Sequence, residues 1–130
     1  MDILSGESKV IEYKRNFTKS LLKTVSAFAN YHDGVIIIGI QDDKKVVGVE
    51  NPKELRLNIE NSINDNIKPS PYYEIKTDKL ERKDIIIINV YKGENTPYTI
   101  GNKAYKRSDT STVQTDSISY QNLILAGRNK

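Results

Sequence analysis

The sequence predicts an α+β fold in which about three helices pack on a mixed β-sheet. Short apolar runs typical of strands occur along the chain between segments of helical periodicity. Turns rich in Gly, Pro, Asn and Asp separate these segments. A chain of 130 residues fits one domain and can bury a core without disulfides. We therefore expect residues 1–130 to form a single domain. The final predicted helix runs toward the chain end with no stop signal in G-R-N-K, which suggests the N-terminal part of a longer protein.

The first half of the chain predicts three strands and a helix. Apolar and polar residues alternate near the N-terminus, so that Glu12 and Lys14 share one strand face. Helical periodicity begins after Asn16, which suits an N-cap, and Asp33-Gly34 then signals a turn. The predicted elements are a strand over 9–15, a helix over 17–30, and two hairpin strands over 35–40 and 46–49.

The second half begins with a strong helix start at Asn51. Pro52 suits the first helical position, and Glu54 follows the capping residue by three positions. This helix must end near Lys68, because Pro69 disfavours helical backbone in the residue before it. The remaining predicted elements are strands over 72–77, 84–91 and 103–107, and a helix from 115 or 116 toward 127.

Composition excludes several classes of site and location. The sequence contains no cysteine, which rules out a disulfide framework, a thiolate zinc site and a cysteine nucleophile. Neither a phosphate-binding loop nor a dinucleotide fingerprint is present. The N-terminus does not resemble a signal peptide, and the apolar runs are too short to cross a bilayer of about 30 Å as helices. We therefore expect a cytoplasmic protein with no membrane partner.

Basic residues concentrate at both ends of the chain, within a formal net charge of +3. If the two ends lie side by side in the fold, they form one basic face that suits a phosphate backbone. Basic helix faces are also often merely solvated, and that interpretation stays open. The residues predicted to contact nucleic acid are Lys14, Arg15, Lys19, Lys23, Lys103, Lys106 and Arg107.

A lysine with nearby acids forms the second candidate site. Glu12 and Lys14 share a strand face, and Asp42 follows the strand over 35–40 at an end that could face the same spot. Carboxylates bind hard cations, and an ammonium can stabilise the anionic transition state of phosphodiester cleavage. The same residues would also fit an exposed charge set with Asp42 as an ordinary turn former.

Glu7 joins this acidic group only under a geometric condition. If residues 7–12 formed one straight strand, Glu7 and Glu12 would lie about 16 Å apart on opposite faces. The two carboxylates can meet only if the chain bends between Gly6 and Lys9. Gly6 and Ser8 make a bend compatible with the sequence.

An ordered series of motifs resembles the Schlafen AlbA-like domain. The motifs span nearly the whole chain, which makes the series more specific than any one of them. They are G-E-S-x-x-x-E-Y-K at 6–14, V-S-A-F-A-N at 25–30, D-G-V-I-I-I-G-I-Q-D-D at 33–43, V-V-G-V at 46–49, T-P-Y at 96–98 and A-Y-K-R-S at 104–108.

This resemblance implies a nucleic-acid-binding module, with DNA as the expected ligand. Such modules stand at the front of transcriptional regulators and of RecG-like or divergent AAA-family proteins. Related vertebrate Schlafen cores include ribonucleases that use two glutamates and an aspartate with a divalent metal, Mg2+ or Mn2+. By motif, those acids correspond to Glu7, Glu12 and Asp42, with Lys14 also kept. A protein-interaction or dimerisation domain is the third interpretation.

The sequence departs from the family pattern at two positions, which limits how far the family's residue roles apply to this chain. His32-Asp33-Gly34 replaces a small residue followed by paired glycines, and Asp109 stands where a glycine commonly follows the strand arginine. An acid at that position would weaken a phosphate contact. Schlafen nucleases close a basic groove with two copies of the core, whereas this chain contains one, and a homodimer could supply the second copy.

Overall fold

The computed structural model describes residues 3–128 and has the α+β architecture that the sequence predicts. Within this range, three helices accompany a four-stranded mixed sheet and a two-stranded hairpin. In chain order the elements are β1 (Ile11–Lys14), α1 (Leu21–Tyr31), β2 (Gly34–Ile38), α2 (Pro52–Asn66), β3 (Tyr72–Leu80), β4 (Lys83–Tyr91), β5 (Tyr105–Ser108), β6 (Ser111–Gln114) and α3 (Ser117–Arg128).

The strands of the main sheet follow the order β1-β2-β4-β3. β1 and β2 run parallel, joined by α1, whereas β4 runs antiparallel to both of its neighbours. The register pairs Glu12 with Ile36 and Lys14 with Ile38. Because paired residues project from the same face of a sheet, Glu12 and Lys14 share one face, as predicted.

Each face of the sheet carries its own apolar cluster. On one face, Ile36 packs with Phe28 of α1 and Ile63 of α2. On the other face, Tyr13 and Ile37 pack beneath the N-terminal segment. Since both faces of β2 are covered, its sequence is a continuous apolar run and lacks the alternation of a half-exposed strand.

The predicted strand over 46–49 is absent, and only Ile40 and Val46 form an isolated bridge there. Gly39 and Gly48 adopt φ of 110° and 74°, which turn the chain out of extended geometry. Both Val47 N–H and Gly48 N–H donate to the carbonyl of Gly39, at 2.9 Å each. The apolar V-V-G-V run therefore packs as a folded loop.

One strand is longer than predicted and one strand was not predicted at all. The strand predicted over 72–77 continues to Leu80, so the turn into β4 contains only Glu81 and Arg82. β6 was not predicted, because its Ser, Thr and Gln residues are largely exposed and lack an apolar signal. Among the residues that the structure describes, no helix is long and apolar enough to cross a membrane.

Candidate functional site

The bend that Glu7 requires is present at the N-terminus. Gly6 adopts φ of 110°, and Ser8 and Ile11 exchange backbone hydrogen bonds across a tight turn. The hydroxyl of the buried Tyr13 holds this segment in place by accepting from Gly6 N–H at 3.0 Å and donating to the carbonyl of Ile3. Residues 6–9 therefore fold back over β1 and do not extend the strand.

Glu7 is the meeting point of the acidic group. Its Oε2 accepts a hydrogen bond from Tyr13 N–H at 3.2 Å, and its carboxyl interacts with those of Glu12 and Asp42. Burial and the hydrogen bond with Glu12 raise the pKa of Glu7 to about 7. The charge of Glu7 in turn raises the pKa of the exposed Asp42 carboxyl. The protonation of Glu7 and that of Asp42 therefore depend on each other.

Glu12 is buried between two cations. Its Oε1 lies 3.5 Å from Nη1 of Arg107 and 4.0 Å from Nζ of Lys14. Only 9% of the Glu12 side chain is exposed, whereas 41% of the Lys14 side chain is exposed. Glu12 therefore serves as an internal counter-ion, and Lys14 presents the outward positive charge of this group.

The structure corrects the expected position of Arg107, because its side chain is fully buried and cannot reach a phosphate. Its Nη2 donates to the carbonyl of Ser8 at 2.7 Å, and its Nη1 donates to Thr112 Oγ1 at 3.2 Å. The guanidinium also lies 5.7 Å from the centre of the Phe28 ring. Arg107 thus fastens the N-terminal turn to the β5–β6 hairpin.

Glu7 interacts with Glu12 and with Asp42, but the three carboxylates do not form the predicted set of metal ligands. In residues 3–128, no group of three or more His, Asp or Glu side chains is arranged to hold a metal ion. The physical reason is the orientation of Glu12 toward Arg107 and Lys14, whose positive charges already neutralise it. A cation held by all three acids would require Glu12 to leave Arg107.

Helix α1 and the β5–β6 hairpin lie side by side, which brings basic residues from both ends of the chain together. Thr24 Oγ1 hydrogen-bonds Thr112 Oγ1 at 2.8 Å, and Lys23 Nζ lies 5.6 Å from the centre of the Tyr105 ring. Lys103 is exposed just before β5, and Lys106 is half-buried within it. The name basic face is used below for the predicted contact residues other than Arg107: Lys14, Arg15, Lys19, Lys23, Lys103 and Lys106. Of these, Lys23 contacts the hairpin directly, and Lys106 projects from the opposite side of β5 to Tyr105.

Sequence reasoning missed a buried polar clamp between two of the motifs. Asn30 Oδ1 accepts from Tyr98 N–H at 2.7 Å, and its Nδ2 donates to the Tyr98 carbonyl at 3.1 Å. Ser26 Oγ donates to the same carbonyl at 2.7 Å. The signal was available, since Ser26 and Asn30 are polar residues four apart on an otherwise apolar helix face.

Comparison with known proteins agrees with this architecture. The family described as Schlafen, AlbA_2 matches residues 7–116. An uncharacterized ATP-binding protein of Ureaplasma parvum serovar 3 is 32% identical over 92 residues, which cover 65% of this chain and 26% of that protein. The chain therefore spans about a quarter of the length of this curated relative.

Two solved structures share the fold at low sequence identity. The DIP2311 protein from Corynebacterium diphtheriae superposes with a TM-score of 0.67 at 16% identity, over 88% of this chain and 23% of that one. The N-terminal domain of an ATP-dependent DNA helicase RecG-related protein from Nitrosomonas europaea gives 0.63 at 23% identity, over 81% and 82%.

Proposed function

Because the chain belongs to the Schlafen AlbA_2 family, we propose that it binds nucleic acid, with DNA as the first candidate, as a module of a cytoplasmic transcriptional regulator. The basic face is the proposed contact surface. The similarity to the N-terminal domain of a protein related to a DNA helicase supports a nucleic-acid-related role. A homodimer would present two basic faces and is part of the proposal.

The observation that carries this proposal is the exposed and unpaired charge at the start of α1. The side chains of Arg15, Lys19 and Lys23 are solvent-exposed and make no hydrogen bond or ion pair with any other residue in 3–128. Cations without acidic partners are free to replace the counterions of a phosphate backbone. The Tyr105 ring lies beside Lys23 and adds a partly apolar surface next to the positive charge of that lysine.

Lys19→Ala combined with Lys23→Ala is expected to weaken binding of a 20-base-pair duplex and to flatten its salt dependence. Each lost phosphate contact should reduce the slope of log K against log salt by roughly 1, so the double variant should lose about 2. Fluorescence anisotropy from 50 to 200 mM salt measures both quantities.

The matched control is Lys76→Ala with Lys92→Ala, which removes the same charge from exposed positions on β3 and after β4. The control should retain the slope of the unchanged protein. Equal losses in both double variants, or binding that ignores salt, would contradict the basic face as the contact surface.

Metal-dependent RNA cleavage is the second candidate function, favoured by the contact of Glu7 with Glu12 and Asp42 beside Lys14. Within residues 3–128, Glu7 and Asp42 form no ion pair and are the proposed ligands of Mg2+ or Mn2+, whereas Glu12 is held by Arg107. Cleavage would require a rearrangement that frees Glu12, and this makes binding alone the better-supported function.

Asp42→Asn is the variant that tests this candidate with the least structural disturbance. Asp42 is exposed and outside the core, so its replacement should leave the fold intact. We expect transfer RNA to be cut in the presence of Mn2+ and to stay intact with the variant. Asp43→Asn is the neighbouring exposed control. Equal cleavage by the unchanged protein and by Asp42→Asn, or no cleavage in the presence of Mn2+, would rule out Asp42 as a metal ligand in RNA cleavage.

A further inference from the structure

A cleft of about 680 Å³ opens at the same end of the sheet as Asp42. Its walls come from the residues after β1, the loop over 47–50, the start of α2 and the β3–β4 turn. Its volume falls within the roughly 300–1,000 Å³ typical of ligand pockets. Arg15 lines both this cleft and a neighbouring pocket lined by Lys14 and Asp42, so it lies between the two.

The cleft combines an apolar wall with three cations and two acids, since Arg15, Arg82 and Lys83 line it together with Glu50 and Asp84. Asp84 is already paired with Lys79 at 2.9 Å. Phe17, Val49 and Leu55 line it and are half-buried, with part of each side chain packed against the core. Arg15 and Arg82 are exposed, and neither side chain has a hydrogen bond or ion pair to another described residue. A planar apolar group with an attached anion would satisfy both features.

The backbone that carries Arg82 is strained. Glu81 and Arg82 form the whole turn between β3 and β4, with φ of 51° and 65°. A two-residue hairpin turn with positive φ at both positions strongly prefers Asn-Gly, because other residues clash there. Holding an arginine in this conformation costs stability, and such costs concentrate at functional sites.

We propose that this cleft receives one unpaired nucleotide of the bound nucleic acid. Its base lies against the wall formed by Phe17, Val49 and Leu55, and its phosphate lies at the mouth between Arg15 and Arg82. This inference rests on the proposed nucleic-acid binding and adds a ligand class to it, namely single strands or strand ends. The strand would run from the pocket at Lys14 and Asp42, past Arg15, into the cleft.

Arg82→Gly separates stability from binding. Glycine adopts positive φ without a steric clash, and this relief exceeds its larger loss of entropy on folding, so the variant should unfold at a temperature about 2–4 °C higher than the unchanged protein. Loss of a bidentate phosphate contact should weaken binding of a 12-nucleotide single strand about tenfold, while a blunt duplex should bind as before. Glu81→Gly is the control, because it relieves the same turn, lies outside the cleft lining and should not weaken binding.

A photo-crosslink locates the base independently of any variant. A 12-nucleotide strand carrying 5-iodouracil should, on irradiation, attach to a peptide that contains Phe17 or the segment over 47–55. An abasic strand with the same phosphates should bind the unchanged protein at least about fivefold more weakly than the complete strand, since it lacks the stacking and apolar contact of the base.

The outcomes distinguish this inference from the function on which it rests. If the unchanged protein binds neither strand nor duplex, both the proposed function and the cleft assignment fall. Salt-dependent binding that Arg82→Gly leaves unchanged, with crosslinks confined to other segments, would overturn the cleft assignment alone. Selective loss of single-strand binding by a variant of raised thermal stability is the result that the assignment requires.

Discussion

Arg107→Ala is expected to lower the free energy of unfolding by about 3–5 kcal/mol, because it leaves the buried carboxylate of Glu12 without its partner. The same substitution removes the donors that hold the carbonyls of Ser8 and Ile11 and the hydroxyl of Thr112. Urea unfolding followed by circular dichroism measures the loss, and an unchanged m-value would show that the effect is on stability.

Two companion variants identify the cause of this loss. Lys106→Ala, at the next position of β5, should change stability by at most about 0.5 kcal/mol. Combining Arg107→Met with Glu12→Gln removes both charges while keeping side-chain volume, and it should recover part of the stability lost by Arg107→Met alone. If the double variant is no more stable than Arg107→Met, the ion pair with Glu12 is not what makes Arg107 important.

Asn30→Leu is expected to lower the free energy of unfolding by about 2–4 kcal/mol, since it leaves the buried N–H of Tyr98 without a hydrogen-bond partner. It also removes one of the donors to the carbonyl of Tyr98. Leucine has a similar shape, so the loss reports on hydrogen bonding more than on cavity formation. Thermal and urea unfolding both measure it.

Asn58→Leu provides the matched control, because Asn58 is exposed on α2 and has no side-chain hydrogen bond in the described structure. Its stability should stay close to that of the unchanged protein. A loss of less than about 1 kcal/mol in Asn30→Leu would mean that water replaces the clamp on Tyr98.

The contacts of Arg107 and of Asn30 give a structural role to the motifs that first suggest nucleic-acid binding. The V-S-A-F-A-N and T-P-Y motifs touch each other through Asn30 and Tyr98. The A-Y-K-R-S motif reaches both G-E-S and E-Y-K through Arg107. Much of the family pattern therefore describes how distant segments are fastened together. The functional candidates that remain exposed are the basic face and Asp42.

The departure at Asp109 has a backbone explanation. Asp109 adopts φ of 59° in the two-residue turn between β5 and β6, which is a conformation that glycine tolerates best and aspartate tolerates better than most. The glycine usual at this position therefore serves the turn. An aspartate there is compatible with the hairpin that carries Lys106 and Arg107.

Local sequence patterns were sufficient for the fold class, the presence of three helices and the shared face of Glu12 and Lys14. The predicted start of the first helix was wrong, because α1 begins at Leu21 after Ser20 and not at residue 17 after Asn16. Periodicity and helix-start signals act over a few residues, and Pro52 shows this well, because α2 begins there as predicted. Asn51 precedes it in left-handed backbone and makes no side-chain capping hydrogen bond. The bend at Gly6 was also identifiable as a condition, since strand geometry otherwise keeps Glu7 away from Glu12.

Only the tertiary structure decided which charges face solvent and which are internal. Lys106 and Arg107 are adjacent in sequence, yet one is half-buried and the other is enclosed by contacts to residues about a hundred positions away. Burial of an arginine depends on partners such as Glu12, and no local pattern encodes their approach. For the same reason the cleft beside Arg82 was not predicted, because its walls come from four separated segments that meet only once the sheet has formed.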